Sequence, residues 1–133
     1  PIAAGKVSST PYLYSHEVGN DADGSAMESV YIQSGDFDIG DGEDFQFIKR
    51  MIPDVDFNGS GGNDQAISAI LKVRNYPGDS FTTDQTTSFT GSTTKIDMRA
   101  RGRQAALRFE SEDAGVGFRL GKTRLDTQPN GKR

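Results

Sequence analysis

Apolar and polar residues alternate with a period of two along much of the chain, a pattern that predicts β-strands. In residues 96–101, Ile, Met and Ala alternate with Asp and two Arg. Residues 107–110 and 116–120 show the same alternation, and short glycine-containing turns follow residues 101 and 110. The C-terminal third therefore predicts three consecutive antiparallel strands.

Residues 66–73 fit two kinds of element. Ala66, Ile67, Ala69 and Ile70 have helical spacing, but the same stretch also alternates as a strand would. The turn-forming residues 75–78 (NYPG) follow at the usual length of a strand. We therefore expect a strand here.

Two irregularities refine the strand pattern upstream. The apolar positions change parity between residues 32 and 37, across Ser34-Gly35, which predicts a β-bulge or bend. Residues 45–52 (FQFIKRMI) are apolar on both parities, which predicts a central strand covered on both faces. Pro53 lacks a backbone donor and predicts the end of that strand or an edge position.

These patterns together predict an all-β fold, an antiparallel β-sandwich or barrel-like domain. We expect a single domain over residues 26–133, with residues 1–25 as an extended arm that lies on another surface. Residues 81–94 are rich in Thr and Ser and predict either an exposed edge hairpin or a mobile loop.

Composition excludes several classes of function. The chain has 133 residues, of which 33% are hydrophobic, with 16 Gly, no Cys and one His. No apolar run approaches the roughly 18 residues of a membrane span. Disulfides, thiolate nucleophiles, cysteine-based zinc sites and multi-histidine metal sites are excluded. His16-Glu17 has no recognisable nucleophile motif beside it, so we expect neither an enzyme nor a cofactor.

Charge is divided unevenly along the chain. Residues 1–98 carry 6 Lys and Arg against 15 Asp and Glu, a balance of −9, whereas residues 99–133 carry 9 against 4, a balance of +5. This division predicts charged contacts within an oligomer or with nucleic acid. The alternative is that the charged residues only keep two faces of the protein hydrated.

Two segments resemble ligand sites. The acidic segment 36–44 has the oxygen donors and glycines that Ca²⁺ prefers, although a solvated acidic turn explains the same residues. Gly59-Ser60-Gly61-Gly62 suggests a phosphate cradle, but Asn63 and Asp64 stand where a P-loop requires Lys and Ser or Thr. We expect a solvated turn and an ordinary loop, with no metal site.

The arginines are the main candidate functional residues. Arg99, Arg101 and Arg103 would project from one face of an unbroken strand, and Arg108 follows on the next. Such a row binds phosphate without reading bases, or pairs with carboxylates of a neighbouring subunit. No aromatic residue alternates with these arginines for base stacking, so the sequence favours the subunit interface over a DNA-facing surface.

Residues 99–133 (RARGRQAALRFESEDAGVGFRLGKTRLDTQPNGKR) resemble the C-terminal ending of large tail proteins of short-tailed bacteriophages. The matching features are RGRQ at residues 101–104 in a strand, ES at 110–111 and GV at 115–116 in a hairpin, LG at 120–121, RLD at 124–126 and the glycine at 131. Residues 12–19, 34–55 and 71–81 are also similar to that family. The resemblance thus extends over most of the chain.

The resemblance implies a virion structural protein, a nozzle or tail-tube ring component that assembles below the portal and forms part of the DNA ejection conduit. Its partners would be copies of itself in a ring whose order stays open, six being one candidate, and other tail, portal or adaptor proteins. Non-specific contact with genomic DNA is also implied. The chain would be the C-terminal piece of a longer protein.

Two other functions fit the sequence. A tail-associated binding module would contact host glycans or DNA through the Thr/Ser-rich segment or the arginine strand. A tail-associated hydrolase would use a pair of carboxylates, whose separation sequence spacing does not define.

Overall fold

The computed structural model describes residues 1–132, without the side chains of residues 63, 83 and 84. These residues form twelve strands and one short 3-10 turn at Gly62–Asp64. The strands are β1 (Ile2–Val7), β2 (Thr10–Ser15), β3 (Val30–Gln33), β4 (Phe37–Asp38), β5 (Gln46–Ile52), β6 (Val55–Phe57), β7 (Ala66–Arg74), β8 (Thr83–Thr90), β9 (Ile96–Gly102), β10 (Gln104–Ser111), β11 (Phe118–Leu120) and β12 (Arg124–Pro129). The all-β prediction is confirmed.

Two antiparallel sheets enclose one hydrophobic core in a sandwich-like arrangement. The first sheet has the order β3-β10-β7-β8, with β4 also pairing with β10, and the second has the order β12-β5-β9. A two-stranded sheet of β6 and β11 packs Val55, Phe118 and Leu120 against the same core. The strands do not close into a barrel.

The buried face of each sheet follows the period-two pattern. Along β7 every second residue is buried, from Ile67 to Val73, which confirms a strand rather than a helix. Along β9 buried Ile96, Met98 and Ala100 alternate with exposed residues. Burial of one alternating face stabilises both strands, because each core side chain removed from water contributes about 1.5–3 kcal/mol.

Strand β5 is central in its sheet, as predicted, and ends at Ile52 immediately before Pro53. The prediction that both its faces are covered is wrong, because Lys49, Arg50 and Ile52 are exposed. A register shift against β9 between Ile48 and Arg50 accounts for the misleading pattern. This bulge lets Ile48 and Met51, three positions apart, reach the same core.

The predicted bulge near Ser34-Gly35 is confirmed. Gln33 lies opposite Arg108 and Phe37 opposite Ala105, so this segment uses one residue more than β10 over the same length. The side chain of Ser34 accepts a hydrogen bond from the Leu107 peptide N–H at 3.0 Å, which holds the bulge against β10.

The three strands predicted in the C-terminal third form as β9, β10 and β11. They do not pair with one another as consecutive antiparallel strands would, because they belong to different sheets. The chain leaves β9 at Gly102 and enters β10 at Gln104, so Arg103 alone spans the corner. A Cβ at Gly102 would lie 3.0 Å from that of Val73 and 3.1 Å from the Arg74 carbonyl oxygen. Glycine therefore permits the close approach at which the chain changes sheet.

The N-terminal segment and the Thr/Ser-rich segment both contain strands. Residues 83–90 form β8, an edge strand that pairs with β7, so the edge-hairpin prediction for residues 81–94 is confirmed and the loop alternative is wrong. Phe89 of this strand is buried in the core. Within residues 1–25, β1 and β2 pair with each other as a hairpin. Whether this segment lies on another surface stays a prediction.

Candidate functional site

The outer face of the second sheet is basic. On β9, Arg99 and Arg101 point outward beside Asp97, while the alternate residues enter the core. Lys49, Arg50 and Arg124 are also exposed on β5 and β12 of this sheet. We call these five Lys and Arg residues, at positions 49, 50, 99, 101 and 124, the basic sheet face.

Arg99 is the predicted site residue that is most available to a partner. Its peptide N–H donates to Gln85 Oε1 at 2.7 Å, which fixes the backbone and leaves the guanidinium free to project outward. Arg99 lines a shallow depression of about 610 Å³ together with Lys49, Arg50 and Asp97. Arg50 is tied to Asp126 by a 2.8 Å ion pair, so Lys49 and Arg99 are the cations in the depression without an ion pair among the described side chains.

Arg101 and Arg103 converge on one aromatic ring. Their guanidinium carbons lie 3.8 Å and 4.8 Å from the centroid of Phe45, whose side chain is buried. Arg103 also lies 5.2 Å from the ring centroid of Tyr76. Stacked guanidiniums keep their edge N–H groups available for hydrogen bonds, so this arrangement combines cation–π attraction with free donors.

Those donors hold the C-terminal segment. Arg101 Nη2 donates to the Asn130 carbonyl at 3.3 Å, and Arg103 Nη2 donates to the Lys132 carbonyl at 3.1 Å. The backbone of Phe45 exchanges hydrogen bonds with Asn130 and Gly131 at 2.8 and 2.9 Å. We call Phe45, Tyr76, Arg101 and Arg103 the tail clamp. It fastens residues 130–132 to the start of β5.

The four candidate arginines therefore do not form one row. β9 ends at Gly102, so Arg103 lies in the corner rather than on an unbroken strand. Arg108 lies on β10 in the first sheet, where it forms an ion pair of 2.6 Å with Glu110 and stacks 3.8 Å from the Tyr31 ring centroid. Arg108 is thus separated from the basic sheet face.

Two of the five carboxylates in the acidic segment 36–44, those of Asp36 and Asp38, bind to other strands of the chain. Asp36 pairs with Arg74, whose Nε donates to Gln104 Oε1 at 2.9 Å. Gln104 Nε2 in turn donates to Asp38 Oδ1 at 2.7 Å. Among the described residues no three carboxylate or histidine side chains gather into a metal-binding group. The first two aspartates hold β4 against β7 and β10.

The glycine-rich loop at residues 59–62 closes the end of the sandwich. Gln65, only 7% exposed, donates to the Gly115 carbonyl at 3.1 Å and accepts from the Gly117 N–H at 3.2 Å. The Gly59 N–H also donates to the Gly117 carbonyl at 3.2 Å. The Ser60 N–H donates to the Gly115 carbonyl at 3.1 Å and the Gly62 N–H to the Gly59 carbonyl at 3.3 Å. Three amides of this loop therefore bind protein backbone rather than facing a phosphate.

The sequence pattern does not indicate the aromatic members of the tail clamp. It predicts Phe45 in a covered strand and Tyr76 in a turn, and the arginines have no aromatic neighbour in sequence. Pairing of β5 with β9 places Phe47 opposite Arg101 and so brings the preceding Phe45 near the arginines. No local periodicity signals such a contact between separate strands.

Comparison with family models, curated proteins and solved structures finds no match to this chain. No helix among residues 1–132 has the length and apolarity needed to cross a membrane. His16 is exposed, and its backbone N–H donates to the Pro1 carbonyl at 2.8 Å. The absence of enzymatic activity stays a prediction.

Proposed function

We propose that this chain is a virion structural protein of a bacteriophage tail, a nozzle or tail-tube ring component that works by assembly. The ring would form below the portal and line part of the DNA ejection conduit. Its partners would be further copies of the chain together with other tail, portal or adaptor proteins.

One observation carries the proposal. Three separate segments that resemble the phage tail family, residues 34–55, 71–81 and 99–133, each supply a part of the tail clamp. The three segments that resemble the family therefore meet in one place, where they hold the C-terminal segment.

The basic sheet face supports assembly through complementary charge. Lys49 and Arg99 project without an ion pair among the described side chains, whereas the turn before β5 exposes Asp41 and Glu43. Two patches of opposite charge are what a head-to-tail ring contact requires. Arg favours carboxylate partners because its planar fork makes bidentate contacts.

Charge reversal at Arg99 tests the interface. We expect Arg99→Glu to weaken association between copies about tenfold, equivalent to about 1.4 kcal/mol, because attraction to a carboxylate becomes repulsion. Sedimentation velocity over a concentration series, with negative-stain microscopy of the assembled species, measures the change. Arg99 is preferred to Arg101 or Arg103 because its side chain takes no part in the tail clamp.

Arg119→Glu is the matched control, since Arg119 is also an exposed strand arginine but lies on β11, outside the basic sheet face. Unchanged association of Arg119→Glu beside weakened association of Arg99→Glu supports the interface. If both variants associate as strongly as the parent chain, the basic sheet face is not part of the interface.

The basic sheet face also favours a second candidate function, non-specific contact with DNA. Five cations on one sheet would bind phosphates without reading sequence. In that case Arg99→Glu would lower DNA affinity and reduce its salt dependence by about one phosphate contact. Fluorescence anisotropy with duplex DNA at several salt concentrations separates this function from pairing with carboxylates.

A further inference from the structure

The β1–β2 hairpin carries an apolar face that is not buried in this chain. Ile2, Ala4, Pro11 and Leu13 share that face by the strand register. Ile2 is 77% and Leu13 80% exposed, the two highest values among the large exposed hydrophobic residues. An isolated two-stranded hairpin is at best marginally stable in water, so an apolar face of this kind indicates a missing partner.

The opposite face of the hairpin is partly covered by its own side chains. Tyr14 lies over Gly5, where an added Cβ would be 3.2 Å from the ring, and Tyr12 stacks at a ring-centroid distance of 6.0 Å from Tyr14. The face that bears Ile2 and Leu13 has no such cover. The two faces therefore differ, and one of them is suited to docking.

A partly apolar groove lies elsewhere on the same molecule. It has a volume of about 400 Å³ and is lined by residues of β3, β11 and the loop before β11, including Tyr31, Ile32, Val116 and Phe118. Tyr31 and Ile32 are each 51% exposed. β3 is the end strand of its sheet among the described residues, so its outer backbone edge is open to a further strand.

Hairpin and groove are complementary in charge as well as in polarity. Lys6 is the one charged side chain among residues 1–15 and lies on the apolar hairpin face. Within residues 1–132, Asp113 is the one charged residue that lines the groove. Glu28, Glu112 and Arg119 adjoin its lining residues. Arg108, which stacks on Tyr31, is paired with Glu110. The apolar hairpin face with its single Lys thus has a partly apolar, net acidic groove as a candidate receptor on the same chain.

We infer that the β1–β2 hairpin of one copy docks in the groove beside β3 of a second copy. Leu13 and Ile2 enter the groove, Lys6 meets its acidic rim, and a hairpin strand extends the sheet at β3. Donor and receptor are different patches, so the contact is heterologous and repeats from copy to copy until a ring closes. The inference rests on the proposed self-assembly, for which it supplies a specific contact.

Cross-linking between two different single-cysteine variants tests the contact cleanly, because the chain has no cysteine of its own. Leu13→Cys and Ile32→Cys chains, distinguished by an isotopic mass label, are mixed and mildly oxidised. We expect disulfide-linked dimers that contain one chain of each kind to exceed either like-with-like dimer at least tenfold. Mass spectrometry of the non-reduced products identifies the pairs.

A charge variant provides the second measurement. Leu13→Asp should weaken association at least tenfold by sedimentation, whereas Thr10→Asp, which places the same charge on the opposite hairpin face, should leave it unchanged. Thermal unfolding of both variants checks that the β-sandwich stays intact.

The outcomes separate this inference from the proposed function. Assembly that persists in Leu13→Asp, with no preferred mixed dimer, overturns hairpin docking and leaves self-assembly standing. An internal disulfide in the Leu13→Cys/Ile32→Cys double variant, with none between single variants, means that the hairpin folds onto its own groove and also overturns the contact. A parent chain that stays monomeric at all concentrations contradicts both.

Discussion

Phe45→Ala is expected to lower the free energy of unfolding by about 3 kcal/mol and to release the C-terminal segment from the sheet. Phe45 is only 6% exposed, and its ring is the common surface on which Arg101 and Arg103 stack. Its removal leaves a cavity and deprives two guanidiniums of their π partner, so both the packing and the cation–π contributions are lost. The backbone hydrogen bonds to Asn130 and Gly131 would remain but lose their cover.

Phe47→Ala is the matched control for this change. Phe47 lies two residues further along the chain, is half-buried and faces outward opposite Arg101. We expect its substitution by Ala to lower the free energy of unfolding by about 1 kcal/mol. Urea unfolding measures the free energy of unfolding of both variants. Amide hydrogen exchange at Asn130 reports whether the C-terminal segment is released from the sheet. Equal losses for the two variants, with unchanged exchange at Asn130, would contradict the role of the tail clamp.

Gly59→Ala is expected to destabilise the fold by about 3 kcal/mol through steric overlap. A Cβ at this position would overlap the Gly115 carbonyl oxygen and the Gly117 backbone nitrogen, and neither can rotate away as a side chain would. The loop would have to separate from residues 115–117, which breaks the hydrogen bonds of Gln65. Strand β11 would lose its support at that end.

Gly35→Ala serves as the control because a Cβ there meets no atom within 4 Å and the backbone needs no positive φ. This change should be neutral, or stabilising by up to about 1 kcal/mol through reduced freedom of the unfolded chain. Thermal and urea unfolding of both variants provide the comparison. A Gly59→Ala chain as stable as Gly35→Ala would show that the loop is not tightly packed.

The positions of the strands can be predicted from the local sequence pattern, whereas the pairing between strands cannot. The alternation in residues 66–73 and 96–101 yields β7 and β9, because one buried face selects one side-chain parity. Arg103 shows the limit of such reasoning: its place in the alternation suggests a continuing strand, but the contact between Gly102 and Val73 turns the chain into the other sheet. Strand pairing depends on residues distant in sequence.

The candidate site was predictable only in part. Arg99 and Arg101 are exposed on β9, as the pattern in that segment predicts. The partner of Arg101 and Arg103 is Phe45, which the register of β5 and β9 brings near, and no neighbouring residue signals it. Likewise, the opposite parity of Ile48 and Met51 predicts a strand covered on both faces. The bulge between them, which local sequence does not reveal, instead lets both side chains reach one core.

The proposed role of this chain as a structural component of a phage tail is best tested on whole particles. Purified particles of a phage that encodes this sequence would be examined by immunogold electron microscopy and, after disruption, by mass spectrometry. We expect gold label confined to the tail and peptides of this chain in the disrupted particles. Particles that carry no label, and whose disrupted material lacks these peptides although infected cells contain the protein, would contradict this role.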